Sequence, residues 1–198
     1  MVPSLITLAI TVLRAAGELQ NWSPGLFNKS PGGGGALIGI SWLILVFGGW
    51  FGLRLTRMGY GAARPLRVSG LALLVGITLG LVSFGIGQVA GQNAFFLVFM
   101  AGSIVAIFLT RNLWPELWKT LLAYAFAARI PVALLMLFAI LGNWGTHYDV
   151  PPPGFPEYSP FVKWFLIGFL PQMTLWIYMT VVGGLVAGGV AGAVAGRK

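Results

Sequence analysis

Long apolar stretches alternate with short polar linkers along most of the chain. Their positions predict helices at residues 36–56, 67–88, 93–110, 117–141 and 161–195. Each contains a run close to the roughly 20 apolar residues with which a helix crosses the hydrocarbon core of a bilayer. The last stretch is longer than one crossing requires, and Pro171 within it predicts a kink, because proline cannot donate a helical hydrogen bond.

The opening stretch differs, because its apolar run carries regularly spaced polar residues. These residues are separated by three, four, three and four positions: Ser4, Thr7, Thr11, Arg14 and Glu18. The spacing places all five on one face of a helix, which we predict at residues 3–19. Such a helix is about 25 Å long, somewhat shorter than the hydrocarbon core, so whether it crosses stays open. Insertion against other helices is favoured, since an interfacial helix usually carries a broad cationic face.

The composition places the chain among membrane proteins. Hydrophobic residues make up 58% of the 198 residues and charged residues only 8%, whereas about 25% of the residues in a typical soluble domain are charged. We therefore predict an all-α integral membrane protein, with residues 1–198 as a single transmembrane domain. The expected architecture is a helical bundle of five to six transmembrane helices. Residues 142–160 form the longest polar connection and are expected to cap the outer side of this bundle.

Positive charges are concentrated in alternate linkers. The cation-rich linkers and the C-terminal tail contain Arg54, Arg57, Arg64, Arg67, Arg111, Lys119, Arg197 and Lys198. The cation-poor side holds Lys29 and Lys163. The positive-inside rule then predicts that the second and fourth linkers and the C-terminus are cytoplasmic, as in the cytoplasmic (inner) membrane of a bacterium. The net charge of +8 is thus attributed to topology and anionic lipid rather than to nucleic acid.

Two helices carry small residues at helical spacing. The last predicted helix has a stripe at strict four-residue steps: Gly184, Gly188, Gly192 and Gly196. The helix at 67–88 has a similar face that continues just beyond its end: Gly76, Gly80, Gly87 and Gly91. Because lipid supplies no hydrophobic drive for helix association, glycine zippers of this kind are expected to permit close backbone packing. The partner stays open between another helix of this chain, a second copy and another membrane protein chain.

Charged residues within the apolar helices need a reason, since a charge inside a bilayer is costly. Arg129 lies deep in the stretch at 117–141, where either snorkelling or an anion would explain it, the anion being Glu18 or an external phosphate or carboxylate. Glu18 is the only acid in the apolar part of a predicted helix, and Arg14 can pair with it at i, i+4. We predict a polar seam facing the bundle interior, formed by the polar face of the opening helix together with Arg129 and Gln172.

The connection at 142–160 holds three side chains suited to polar chemistry: His147, Tyr148 and Asp149. Its prolines and aromatic residues favour an ordered loop that packs over the outer end of the bundle. Two interpretations of the three side chains stay open. They bind a partner or titrate with pH, or they bond to backbone groups within a structural cap.

The residue inventory excludes several kinds of site within one chain. One histidine and no cysteine exclude a bis-histidine haem and a His/Cys zinc site. The sequence has no P-loop, Rossmann, HExxH or GxSxG motif, so we expect neither an enzyme nor a cofactor or metal. We interpret the chain as a non-catalytic accessory or scaffold subunit, or a lipid-binding helper, that associates with membrane lipids and with other chains or itself. The alternative is a small transporter or channel for an anionic or amphiphilic solute that uses Arg14 and Arg129.

Overall fold

The computed structural model of the chain describes residues 2–33 and 37–196. Within them every regular element is a helix, which confirms the all-α prediction. The α-helices are α1 (Val2–Leu19), α2 (Leu43–Arg57), α3 (Pro65–Ala90), α4 (Gln92–Leu109), α5 (Pro115–Gly142), α6 (Pro160–Lys163), α7 (Leu170–Met173) and α8 (Leu175–Ala195). A short 3₁₀ turn covers Pro31–Gly33. Arg197 and Lys198, which belong to the predicted cation-rich side, lie outside the described residues.

Five helical stretches of the described chain are long and apolar enough to cross a membrane: Val2–Leu19, Pro65–Ala90, Gln92–Leu109, Pro115–Gly142 and Pro160–Ala195. Four of them coincide with predicted hydrophobic helices. The remaining one is the opening helix, whose crossing the sequence left open. These lengths and compositions are compatible with an integral membrane protein.

The predicted helix at 36–56 required correction. Residues 37–42 are not helical, and α2 has only 15 residues. The reason is a tertiary pairing of the backbone. The N–H of Leu37 donates to the carbonyl of Gly25, at 3.4 Å, and the N–H of Ile38 donates to that of Leu26, at 3.1 Å. These donors are thus used by the preceding linker, and the apolar run enters helical geometry only after Trp42.

The chain forms two compact units, each built from two segments. The α1 unit comprises Met1–Ser41 and Ala127–Met173, and the α8 unit comprises Trp42–Phe126 and Thr174–Lys198. Helix α5 contributes its first part to the α8 unit and its second part to the α1 unit.

The α8 unit is organised around α8, which contacts α2, α3 and α4. Helices α2 and α8 run in the same direction, because Gly48 meets Gly184 and Gly52 meets Gly188. Ile177, Val181 and Leu185 of α8, together with Leu117 and Leu121 of α5, are almost fully buried. The two rings of Phe47 and Phe51 pack edge-on against Tyr124. This unit is therefore held mainly by apolar and backbone contacts.

The α1 unit has a smaller apolar core, formed by Ala15, Val132, Met136, Ala139 and Tyr148. The helical segment that begins at Pro160 departs from α geometry on both sides of Pro171. A π-helical turn occupies Trp164–Phe169, and Thr174 interrupts the α-helix with φ −114° and ψ −78°. The indole of Trp164 donates to the carbonyl of Ala133, at 2.8 Å. That carbonyl lies two residues beyond Pro131, and α5 continues as a helix through this proline.

Candidate functional site

Helix α1 buries its polar face and exposes its apolar one. The exposed fractions of Thr7, Thr11 and Glu18 are 0%, 4% and 0%, whereas those of Leu5 and Val12 are 60% and 57%. The two threonine hydroxyls donate to carbonyls one turn earlier in the helix, at 2.9 Å each. They are thus satisfied within α1 itself. Ser4 and Arg14, on the same face, are partly buried.

Glu18 is the centre of the site, and both of its carboxylate oxygens are used. Arg14 Nε donates to Glu18 Oε1 at 2.8 Å, from one turn earlier in α1. The backbone N–H of His147 donates to Glu18 Oε2 at 2.9 Å, and His147 Nδ1 contacts Oε1. A buried carboxylate needs partners of this kind to compensate for lost hydration. We call Arg14, Glu18 and His147 the Glu18 cluster.

The loop that carries His147 is shaped by Asp149. Its carboxylate accepts the backbone N–H of Gly145 at 2.9 Å and that of Thr146 at 2.7 Å. It also accepts the Thr146 hydroxyl at 2.7 Å. These bonds close a tight turn, which fixes the backbone N–H of His147 toward α1. Asp149 thus acts on the cluster by positioning His147.

Two further contacts join the cluster to its surroundings. Tyr148 is buried, and its hydroxyl donates to the carbonyl of Thr11 at 3.3 Å. Arg14 also donates, through a terminal nitrogen, to the carbonyl of Asn28 at 3.3 Å. The first linker and residues 144–150 are therefore both attached to the end of α1, whereas most of residues 152–159 are exposed.

Burial changes the proton equilibria of the two aromatic loop residues. Burial lowers the pKa of His147, and the nearby Arg14 charge adds to this effect, while the hydrogen bond to Glu18 opposes it. Burial raises the pKa of Tyr148. A proton on Nδ1 makes the imidazole a hydrogen-bond donor to the Glu18 carboxylate.

The other predicted members of the polar seam, Arg129 and Gln172, also belong to the α1 unit. Arg129 is buried with 3% exposure, thirteen residues before the last residue of α5, Gly142, or about 20 Å along the axis. Gln172 is also buried, and its Nε2 lies 3.8 Å from Met136 Sδ. From the sequence, Glu18 and Arg129 were expected in one polar seam, and His147 was expected in a separate outer loop. The structure brings Glu18 and His147 together, and no local spacing could have shown this because 129 positions separate them.

The glycine stripe of α8 faces α2, the leucines of α5 and Trp114, all in its own unit. A Cβ at Gly48 would lie 2.5 Å from the Gly184 Cα, and a Cβ at Gly52 would overlap the Gly188 carbonyl. A Cβ at Gly192 would lie 3.0 Å from the Trp114 ring, whereas one at Gly196 would meet only its own helix. Gly48 and Gly52 of α2 have the same four-residue step and were not among the predicted packing residues.

The glycines of the predicted α3 face have different neighbours. A Cβ at Gly76 would lie 3.4 Å from the Tyr178 hydroxyl, and one at Gly87 would crowd Phe95 of α4. Gly80 has no neighbour within 4 Å among the described residues. Gly91 lies beyond the end of α3, at φ +88°, in the left-handed region that glycine favours. The face therefore does not form one continuous packing stripe.

The two cation-rich linkers lie at the same end of the α8 unit. Trp114 Nε1 donates to the carbonyl of Tyr60 at 2.8 Å. Trp114 also lies against Gly192, near the end of α8. The cationic side chains of these linkers and of the adjoining helix ends are exposed: Arg54, Arg57, Arg64, Arg67, Arg111 and Lys119.

Neither the described residues nor the comparisons with known proteins identify a ligand. In the described part of the molecule no group of three or more His, Asp or Glu side chains is placed to hold a metal ion. A comparison of the chain with protein-family models, curated proteins and solved structures gave no match.

Proposed function

We propose that the chain is a multi-pass integral membrane protein that acts as a non-catalytic accessory or scaffold subunit. It resides in the bilayer, with the cation-rich linkers and the C-terminus in the cytoplasm of a bacterium. Its apolar outer faces are available to lipid and to partner helices. The glycine-mediated packing of α8 supplies a rigid frame for them.

The observation that carries this proposal is the inverted polarity of the helices. Helix α1 directs Glu18 inward and its leucine and valine side chains outward. Large apolar side chains on α3 and α4 are also exposed: Leu73, Leu74, Ile77, Leu81, Phe84, Val89, Phe96, Leu97, Val105, Phe108 and Leu109. In water the exposure of so many large apolar side chains would be unfavourable. In hydrocarbon it is the favourable arrangement.

A structural role is supported by the way the polar groups are used. Glu18 and Asp149 each accept several hydrogen bonds from their own chain. The hydroxyls of Thr7 and Thr11 are bonded to their own helix. Glu18 thus connects a loop to α1, while the other groups are bonded within that loop or within the helix.

Membrane residence can be tested with single cysteines, because the natural chain contains none. We expect the protein to remain in the membrane fraction after carbonate extraction. In intact cells, Tyr158→Cys should react with an impermeant maleimide, and Arg57→Cys should react only after permeabilisation. Both positions are exposed. Recovery of a folded, detergent-free chain from the aqueous fraction would reject the proposal, as would labelling of both positions from one side.

The accessory role is tested by purification in a mild detergent followed by mass spectrometry of intact complexes. A foreign membrane chain that co-purifies in a fixed ratio supports it. A monodisperse homo-oligomer that moves an anion across liposomes contradicts it and favours the second candidate.

That second candidate is a small transporter or channel for an anionic or amphiphilic solute. It is supported by buried Arg129 together with the π-helical turn Trp164–Phe169, since π turns and intramembrane charges are frequent at functional sites. Anion flux in liposomes that is lost in Arg129→Gln but kept in Arg57→Gln would establish it. Equal flux in the two variants would remove Arg129 from the pathway.

A further inference from the structure

The cation-rich end of the α8 unit contains an open depression of about 600 Å³. It lies between the second linker, the first turns of α3 and the residues that precede and begin α5. Its wall contains two arginines, Arg64 and Arg67, and one acid, Glu116. Its apolar lining includes Val68, Leu71, Leu113 and Trp114. The depression therefore has a cationic rim and an apolar floor.

The two arginines are available to an external anion. Both are exposed, and within the described residues neither forms an ion pair or a side-chain hydrogen bond. The acid of the same wall is already engaged, because Glu116 Oε1 accepts from Lys119 Nζ at 3.0 Å. Arginine presents several donors in a fixed plane, which suits the oxygens of a phosphate.

The walls of the depression are held by α8. Ser69, one turn after Pro65, donates through its hydroxyl to the carbonyl of Val186 at 2.8 Å. A Cβ at Gly189 would overlap this serine, so the glycine permits the close approach of α3. On the other wall, Trp114 lies against Gly192 and bonds to the second linker through the Tyr60 carbonyl. The backbone that carries the arginines is thus fixed before any ligand arrives, which lowers the entropic cost of binding.

The apolar floor distinguishes an amphiphile from a free anion. It begins with Val68 and Leu71 and is continued along α3 by exposed Leu74. A phosphate alone would leave this floor uncovered, whereas a lipid would cover it with glycerol and acyl groups. We propose that the depression binds an anionic phospholipid, with its phosphate at Arg64 and Arg67 and its acyl chains along α3. This inference rests on the membrane location proposed above.

The experiment compares two double variants with equal charge. Arg64→Gln/Arg67→Gln removes the rim, and Arg57→Gln/Arg111→Gln removes two cations of the same end that do not line the depression. Each protein is purified from the membrane fraction and checked for helicity by circular dichroism. Native mass spectrometry then measures binding of dioctanoyl phosphatidylglycerol, dioctanoyl phosphatidylcholine and inorganic phosphate.

We expect the wild type to prefer phosphatidylglycerol, and the Arg64/Arg67 variant to bind it about tenfold or more weakly. The control variant should stay within about twofold of the wild type. Equal binding by both variants, or an equal loss in both, would overturn the site. Arginine-dependent binding of inorganic phosphate without a preference for the lipid would overturn the lipid assignment. None of these outcomes tests the proposed membrane location. That proposal is rejected only if the wild type is not recovered from the membrane.

Discussion

The two units of the chain are stabilised by different interactions. In the α8 unit, glycines allow helix backbones to approach, as at Gly52 and Gly188, and the buried side chains are apolar residues with some serines and threonines. In the α1 unit, a buried carboxylate joins a loop to a helix through Arg14 and His147. Close backbone contact between α2 and α8 requires glycines, which have no side chain. The Glu18 cluster instead requires the side chains of its three residues. The first arrangement should therefore be sensitive to added atoms and the second to removed ones.

The largest expected effect is the loss of the central carboxylate. Glu18→Ala would remove the carboxylate that pairs with the partly buried Arg14 and the acceptor of the His147 N–H. We expect the free energy of unfolding to fall by about 3 kcal/mol or more. Thermal unfolding in mild detergent, followed by tryptophan fluorescence, measures this. Glu116→Ala is the matched control, because it breaks an exposed i, i+3 pair and should cost less than about 1 kcal/mol. Similar losses in the two variants would contradict the role assigned to Glu18.

The next largest effect should come from a methyl group added where α2 and α8 are in contact. Gly52→Ala would place a Cβ on the carbonyl and Cα of Gly188, and a backbone cannot yield as a flexible side chain does. We expect destabilisation of about 2 kcal/mol in the same unfolding assay. Gly80→Ala is the control, since no described atom lies within 4 Å, and it should be neutral or slightly stabilising. A neutral Gly52→Ala would show that α2 and α8 are not in close backbone contact.

Removal of the loop acid should have a smaller effect. Asp149→Ala takes the acceptor from the buried Thr146 hydroxyl and from two backbone N–H groups. We expect a loss of about 1–2 kcal/mol. Glu157→Ala, an exposed acid of the same connection, should change little. Hydrogen exchange at residues 145–150 would also accelerate in Asp149→Ala, and unchanged protection there would refute its role in positioning His147.

The smallest effect concerns pH. Because the pKa of His147 is lowered by folding, its contribution to stability is fully present above about pH 6.5, the unfolded value. As the pH falls below that value, the unfolded chain takes up a proton that the folded chain does not, and this contribution is lost. Arg14, Glu18 and Asp149 are the charged groups that act on the imidazole. The melting temperature should thus fall less between pH 7 and 5.5 in His147→Gln than in the wild type. An equal fall in both would exclude His147 as the cause.

Sequence patterns located most of the helices and the buried face of α1. Both follow from local rules, because the length of an apolar run and the three- and four-residue spacing of polar groups are visible within a single helix. The π-helical turn lies next to Pro171, where the pattern had indicated an irregularity. The start of α2 was misplaced because its leading apolar residues bond to a linker instead of continuing a helix.

The sequence by itself thus determined the helical, apolar character of the chain and the five polar positions on one face of α1. Only the tertiary structure decided which groups meet. It placed His147 on Glu18, Gly48 and Gly52 of α2 against α8, and Trp114 beside the second linker. The physical reason is that a helix period is a property of neighbouring residues. The partner of a buried charge or of a glycine face depends instead on which distant surfaces pack together.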